Sequence, residues 1–211
     1  MLQQLMNGLV VGASYTLIAL GFSLVYGLIR LINFAQVSLY TLGAYLALFF
    51  TPVFAAWLPA HGWLALCLSI VISGLLTGLA GVAVAAAAWW PIRRAPTISM
   101  LVSSLAVLIL IETLIDVVVS PLPMVVTAPV DNRVYDLLGT HLSSLQVVML
   151  VGGVALTLLL YQFMRFSRFG RAIRAVASNT DSAIVLGVNI PTTVFIVFGI
   201  AAALAGVSGV L

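Results

Sequence analysis

The chain has 211 residues, of which 64% are hydrophobic and only 6% charged, with a formal net charge of +3. An ordinary soluble domain carries about 45–50% apolar and about 25% charged residues, so a water-soluble fold is excluded: it could not bury this much apolar surface and still cover its outside. The chain contains no lysine, which removes ordinary Walker-type ATPase and Schiff-base chemistry, and Cys67 stands alone, which removes an internal disulfide or a CxxC metal site.

The apolar residues fall into several runs of about 18 or more, each long enough to cross a ~30 Å hydrocarbon layer at about 1.5 Å per residue. They do not alternate with polar residues, as the strands of a transmembrane barrel must. The expected fold is all-α, a polytopic transmembrane helical bundle of about six spans forming a single domain over residues 1–211. No basic region precedes the first run, which argues against a cleaved signal peptide.

The first span is predicted over Leu5–Leu28, with Gly8 and Gly12 on one face and Arg30 just beyond it. Asn33–Leu58 is apolar but interrupted by Thr51-Pro52, so it reads as either a complete span or a discontinuous, re-entrant helix. Trp63–Trp90 has 28 residues, about 42 Å as a helix, and must tilt or protrude. Its Gly74 and Gly78 invite a close neighbour, and Trp89-Trp90 before Pro91-Ile92-Arg93-Arg94 is an interfacial aromatic pair followed by a basic loop. A fourth span covers Ile98–Val119. Residues Ser120–Ser144, with three prolines, two aspartates, one arginine and His141, read as a polar loop outside the core. The fifth span is Leu145–Met164, and the last run begins near Thr193 and is still apolar at Leu211, so the natural chain is expected to continue.

Arginines set the orientation. Arg93-Arg94 and the cluster of Arg165, Arg168, Arg171 and Arg174 are separated by two spans, so they share a side, and the positive-inside rule makes it the cytoplasm. Their position between apolar runs fits loops at a lipid bilayer rather than a nucleic-acid surface. A complete second span puts the N-terminus outside and Arg30 inside; a re-entrant one reverses the N-terminus.

Glu112 and Asp116 lie one helical turn apart on the fourth span. A carboxylate at membrane depth costs a few kcal/mol. Glu112, about 10 Å deeper than Val119, either lines a polar cavity or bonds a neighbouring helix; Asp116 reads as solvated near the outer end. If Glu112 is an ion or proton site, the chain is a secondary transporter. No histidine lies within a span, so no metal site is expected. Gly206-Val207-Ser208-Gly209 has the look of an intramembrane serine protease motif, but no histidine base accompanies it, and small residues here read as tight helix packing.

The stretch from 165 to 192 is the most polar. Phe169–Ser178 reads as a basic amphipathic helix. Asn179 or Thr180 is a helix cap, and Asp181 sits in the first turn, where the helix dipole favours an anion. Gly187 ends that helix and Pro191 prevents its continuation. The product is a helix of about two turns at the membrane surface, more than a simple return of the chain requires.

Asp181-Ser182-Ala183 followed by Gly187 resembles the Glu-Ala-Ala-x-x-x-Gly coupling motif of ABC importer permeases. Its setting, from Arg168-Phe169-Gly170-Arg171-Ala172-Ile173-Arg174 through Leu186-Gly187-Val188-Asn189, is similar to permeases of branched-chain amino acid importers. So are Gly12-Ala13-Ser14-Tyr15-Thr16-Leu17-Ile18-Ala19-Leu20-Gly21, Val25-Tyr26-Gly27 and Ile32-Asn33-Phe34-Ala35 near the start. The chain departs from that pattern where Gln36-Val37 replace the usual His-Gly, where Asp181 replaces Glu, and where Asn179 replaces Asp.

The resemblance implies a multi-pass permease subunit of the bacterial cytoplasmic (inner) membrane that carries branched-chain or other small amino acids, or amide- or urea-like solutes, and is not itself an enzyme. Its partners would be separate ABC ATPase subunits, a second permease subunit identical to it or not, and a periplasmic or extracellular substrate-binding protein. ATP and Mg would be bound by the ATPase subunits and no cofactor by this chain. The coupling loop would be carried by Gly170, Arg171, Arg174, Asp181, Ser182, Ala183 and Gly187, with Asn33, Gln36 and Glu112 placed near the substrate pathway.

Overall fold

A computed structural model describes residues 1–119, 130, 134–137 and 140–211. Most of the expected polar loop over 120–144, including Asp131 and Arg133, lies outside these residues. Six helices are long and apolar enough to cross a membrane. They are α1 (Leu2–Ile29), α2 (Ala35–Trp57), α3 (Gly62–Val84, prolonged by a π-helical turn Ala85–Trp89), α4 (Thr97–Val118), α5 (Ser144–Phe166) and α8 (Ile190–Val210). Two short helices, α6 (Arg168–Ser178) and α7 (Thr180–Val185), join α5 to α8. Before α5, β1 (Val134–Leu137) pairs antiparallel with β2 (Thr140–Ser143).

The second segment is one uninterrupted helix of 23 residues that contains Pro52. Proline costs an exposed helix about 3 kcal/mol, but neighbouring helices in a membrane bundle restrain the chain and the break does not occur. This continuity decides how the ends are arranged. The Gln3 amide donates to the His141 carbonyl at 2.9 Å and accepts from the His141 backbone N–H at 2.8 Å, so the N-terminus lies beside the ribbon and the start of α5. At the other end the close of α1, the π turn, the close of α5, α6, α7 and the start of α8 share one hydrophobic cluster. Arg30, Arg93, Arg94 and the arginines of α6 therefore gather at one end of the bundle, opposite the N-terminus.

α8 is the central helix: 61% of its most apolar window is buried, against 6% for α4, which lies at the edge. It packs on α3, α2 and α1. Small residues make this possible, since the hydrophobic effect gives no drive between helices in lipid and close backbone approach must supply the attraction. A Cβ on Gly43 would fall 2.3 Å from the Gly206 Cα, one on Gly81 would fall 2.2 Å from the Ala202 Cβ, and one on Gly74 would fall 2.7 Å from a Val207 methyl. Gly8 and Gly12 differ, with nothing within 4 Å of an added Cβ. Three hydroxyls buried in this interior turn back on their own helices: Ser38, Ser69 and Thr77 donate to the carbonyls of Ala35, Ala65 and Ser73.

Candidate functional site

The α5–α6–α7 corner is fixed by backbone chemistry at each turn. Ser167 caps α6, its hydroxyl accepting from the Gly170 N–H at 2.8 Å. Gly170 lies so close to the end of α5 that a Cβ there would fall 2.3 Å from the Met164 carbonyl oxygen. The last carbonyls of α5 have no partner within the helix, and the helix dipole makes them attractive to cations. Arg174 donates to the Met164 carbonyl, and Arg171 donates to that of Phe166 at 3.2 Å. These two arginines thus close the end of α5. Arg165 instead lies over the rings of Tyr161 and Phe166.

The next corner is built from Asn179, which leaves the helical region at φ −155° and accepts from the Ser182 N–H at 2.9 Å. Asp181 occupies the first turn of α7 and is exposed. The helix closes with the Val188 N–H on the Ala183 carbonyl and the Gly187 N–H on the Ile184 carbonyl, at 3.0 and 2.9 Å. This Schellman closure needs a left-handed residue, and Gly187 supplies it at φ +78°. Nothing lies within 4 Å of a Cβ at Gly187, so its glycine is set by conformation and not by a close neighbour. Pro191 stands in the first turn of α8, where its missing N–H costs nothing. It starts the next helix as much as it stops the last.

Ala183 is only 1% exposed and packs within this chain's own cluster with Ile173, Val176, Val194 and Phe198. The outward face of α7 and its end is Ile184, Val185 and Leu186, exposed by 55%, 86% and 78%. Three consecutive large apolar residues in the most polar stretch of the chain are a signal the sequence already carried. α7 therefore has an inner residue locked to the ends of the spans and an outer apolar patch.

Of the three candidate pathway residues, Asn33 and Gln36 share the turn that opens α2, the Gln36 N–H donating to the Asn33 carbonyl at 3.2 Å, and Glu112 stands on α4. Gln36 is fully buried and donates from Nε2 to the Ala201 carbonyl at 2.7 Å, tying α2 to α8. It is held tightly there, since a Cβ on Gly21 of α1 would fall 2.5 Å from that same nitrogen. Asn33, also buried, lines a small cavity with Trp89, Ser103, Ser104 and Phe198. Glu112 lies half-buried on the edge helix α4 and makes no hydrogen bond or ion pair with the described residues; Asp116, one turn on, is exposed. No cluster of three or more histidine, cysteine or acidic side chains exists among the described residues. Ser208 donates to the Ser14 carbonyl at 2.6 Å, so the hydroxyl of the protease-like motif clasps α8 to α1.

Six spans, a core of small residues and a rigid surface helix tied to the ends of several spans define a multi-pass membrane protein of the transport-permease class. The family described as branched-chain amino acid transport system / permease component matches residues 4–211, and the chain belongs to that family. It is accordingly an ABC importer permease subunit and not an enzyme. It is 28% identical over 214 residues to the high-affinity branched-chain amino acid transport system permease protein LivH of Escherichia coli (strain K12), covering 100% of this chain and 70% of that relative. It is 30% identical over 214 residues to the corresponding permease protein BraD of Pseudomonas aeruginosa, with the same coverage. No solved structure matches the chain.

Proposed function

We propose that this chain is the translocation subunit of an importer that moves branched-chain amino acids into the cytoplasm across a bacterial inner membrane. In this reading residues 1–211 act as one domain and form a pathway with a second permease subunit. A substrate-binding protein delivers the solute from outside, and separate ATPase subunits bind ATP and Mg. The substrate class rests on the names of the relatives.

The observation that carries the reading is the two-sided character of α7. Ala183 and Val188 hold it to α6 and α8, while Ile184, Val185 and Leu186 stand outside as an apolar patch at the arginine-bearing end. An exposed apolar patch rimmed by polar residues marks a protein or membrane contact, and in this reading it is the contact with an ATPase subunit. A partner that closes on this patch moves the ends of α5, α6 and α8 with it, because the caps and the Ala183 contact leave no slack between them. Packed interfaces of this kind pass on rigid-body motion instead of absorbing it.

The test is Val185→Asp. Val185 points away from the bundle, so the variant should insert at normal abundance, lose its ATPase subunits on gentle purification, and no longer support uptake. A Val185→Asp protein that keeps both would remove the docking role of this patch. Ala183→Arg is a poorer test, because the charge would be forced into the chain's own core and reduce abundance directly.

A further inference from the structure

Two N–H donors inside the arginine-bearing end have no hydrogen-bond partner among the described residues: Nδ2 of Asn33 and Nε1 of Trp89. Asn33 is 6% exposed and sits in the turn before α2; Trp89 ends the π turn after α3. Both line the same cavity, of about 20 Å³, together with Ser103 and Ser104 of α4 and Phe198 of α8. A buried polar group left unmatched costs about 1–3 kcal/mol, and two of them on residues that line one small cavity share a remedy.

We propose that this cavity is a binding site for a single ordered water that accepts from Asn33 Nδ2 and Trp89 Nε1. The size fits: one water needs about 10–15 Å³ of such space, and nothing larger enters. The chemistry fits as well, since a water oxygen has two lone pairs for the two donors. Its own hydrogens then face the serine hydroxyls. Ser103 Oγ donates to the Ala88 carbonyl, and Ser104 Oγ donates to the Leu101 carbonyl while accepting from the Phe34 N–H, so each keeps a lone pair free. No cationic side chain lines the cavity, which disfavours a small anion at this depth.

The water joins three elements where they would otherwise meet through unmatched donors, the turn before α2, the π turn and α4, beside the Phe198 ring of α8. The π turn explains why such a joint exists. Its wide ring, closed by the Trp90 N–H on the Ala85 carbonyl at 2.8 Å, shifts the register of the last turn, and Trp89 at its end lines the cavity with Asn33. Trp89 and Phe198 are in ring contact and belong to the cluster that holds Ala183. The site is thus a polar joint beside the elements that carry α7.

The experiment is a structure of the assembled transporter in lipid nanodiscs at a resolution that shows ordered waters, paired with thermal melts of Asn33→Leu, Trp89→Phe and the double variant. The expected result is one water-sized peak within hydrogen-bond distance of both nitrogens. Each single variant should lower the Tm, and the double variant should lower it no further than the worse single one. Three findings would overturn the proposal: no peak, with the Asn33 amide turned so that Oδ1 takes the indole N–H directly; a peak that bromide replaces when chloride is exchanged; or strictly additive melts. The density of the unaltered protein decides the matter even if the variants fail to accumulate.

Discussion

Gly170→Ala should break the corner between α5 and α6, and the size of the effect follows from the geometry. The new methyl would lie 2.3 Å from the Met164 carbonyl oxygen, 2.7 Å from the Met164 carbonyl carbon and 2.7 Å from the Phe163 carbonyl oxygen. Carbon and carbonyl oxygen normally come no closer than about 3.3–3.6 Å, so α6 must retreat by about 1 Å. All three obstacles are backbone atoms, so no side-chain rotation relieves them. Overpacking of this kind costs about 1–3 kcal/mol. The retreat also lengthens the bonds from Arg174 and Arg171 to the α5 carbonyls; these residues are exposed, so water replaces much of that loss. Because Ile173 and Val176 on the same helix hold Ala183, the displacement is carried into α7. We predict that Gly170→Ala lowers the melting temperature in detergent and reduces uptake by more than its lower abundance explains. Gly8→Ala, where nothing lies within 4 Å, is the matched control and should be neutral or mildly stabilising, because Ala favours a helix over Gly by about 1 kcal/mol. If Gly170→Ala melts and transports like the Gly8→Ala control, the corner is not the rigid element described here.

Gln36→Leu removes the 2.7 Å bond to Ala201, worth about 1 kcal/mol; it should lower the melting temperature and leave substrate preference unchanged, and a changed preference in competition uptake would return Gln36 to the pathway. For topology, in a Cys67→Ala background, a cysteine at His61 should react with an impermeant thiol reagent in intact cells while one at Ser178 is shielded. The reverse labelling would overturn the orientation.

The spans were legible because lipid permits few alternatives: long, unbroken apolar runs have to become helices, and the six observed lie within a few residues of those expected. Asn179, Asp181 and Gly187 were legible for a similar reason, since capping is local chemistry that a few neighbouring residues specify. Four features were not. Pro52 is a breaker by local rules, yet α2 runs through it as one helix of 23 residues. The inward face of Ala183 was not legible because a helix of six residues is too short for its periodicity to choose a side, and the choice is made by Ile173, Val176 and Val194 from other elements. The bond from Gln36 to the Ala201 carbonyl joins residues 165 apart in sequence, beyond the reach of any local pattern. The π turn is silent in the sequence, since four alanines in a row fit an α-helical and a π-helical turn equally well.

The central claim is that this chain moves solute only as part of an ATP-driven assembly, and the direct measurement is leucine uptake into sealed proteoliposomes. With the ATPase subunits, the second permease subunit, the binding protein and ATP all present, leucine should accumulate; omitting ATP or this chain should abolish it, and an imposed proton gradient should not substitute. Accumulation by this chain alone, driven by a proton gradient and abolished by Glu112→Gln, would contradict the account and make the chain a secondary transporter.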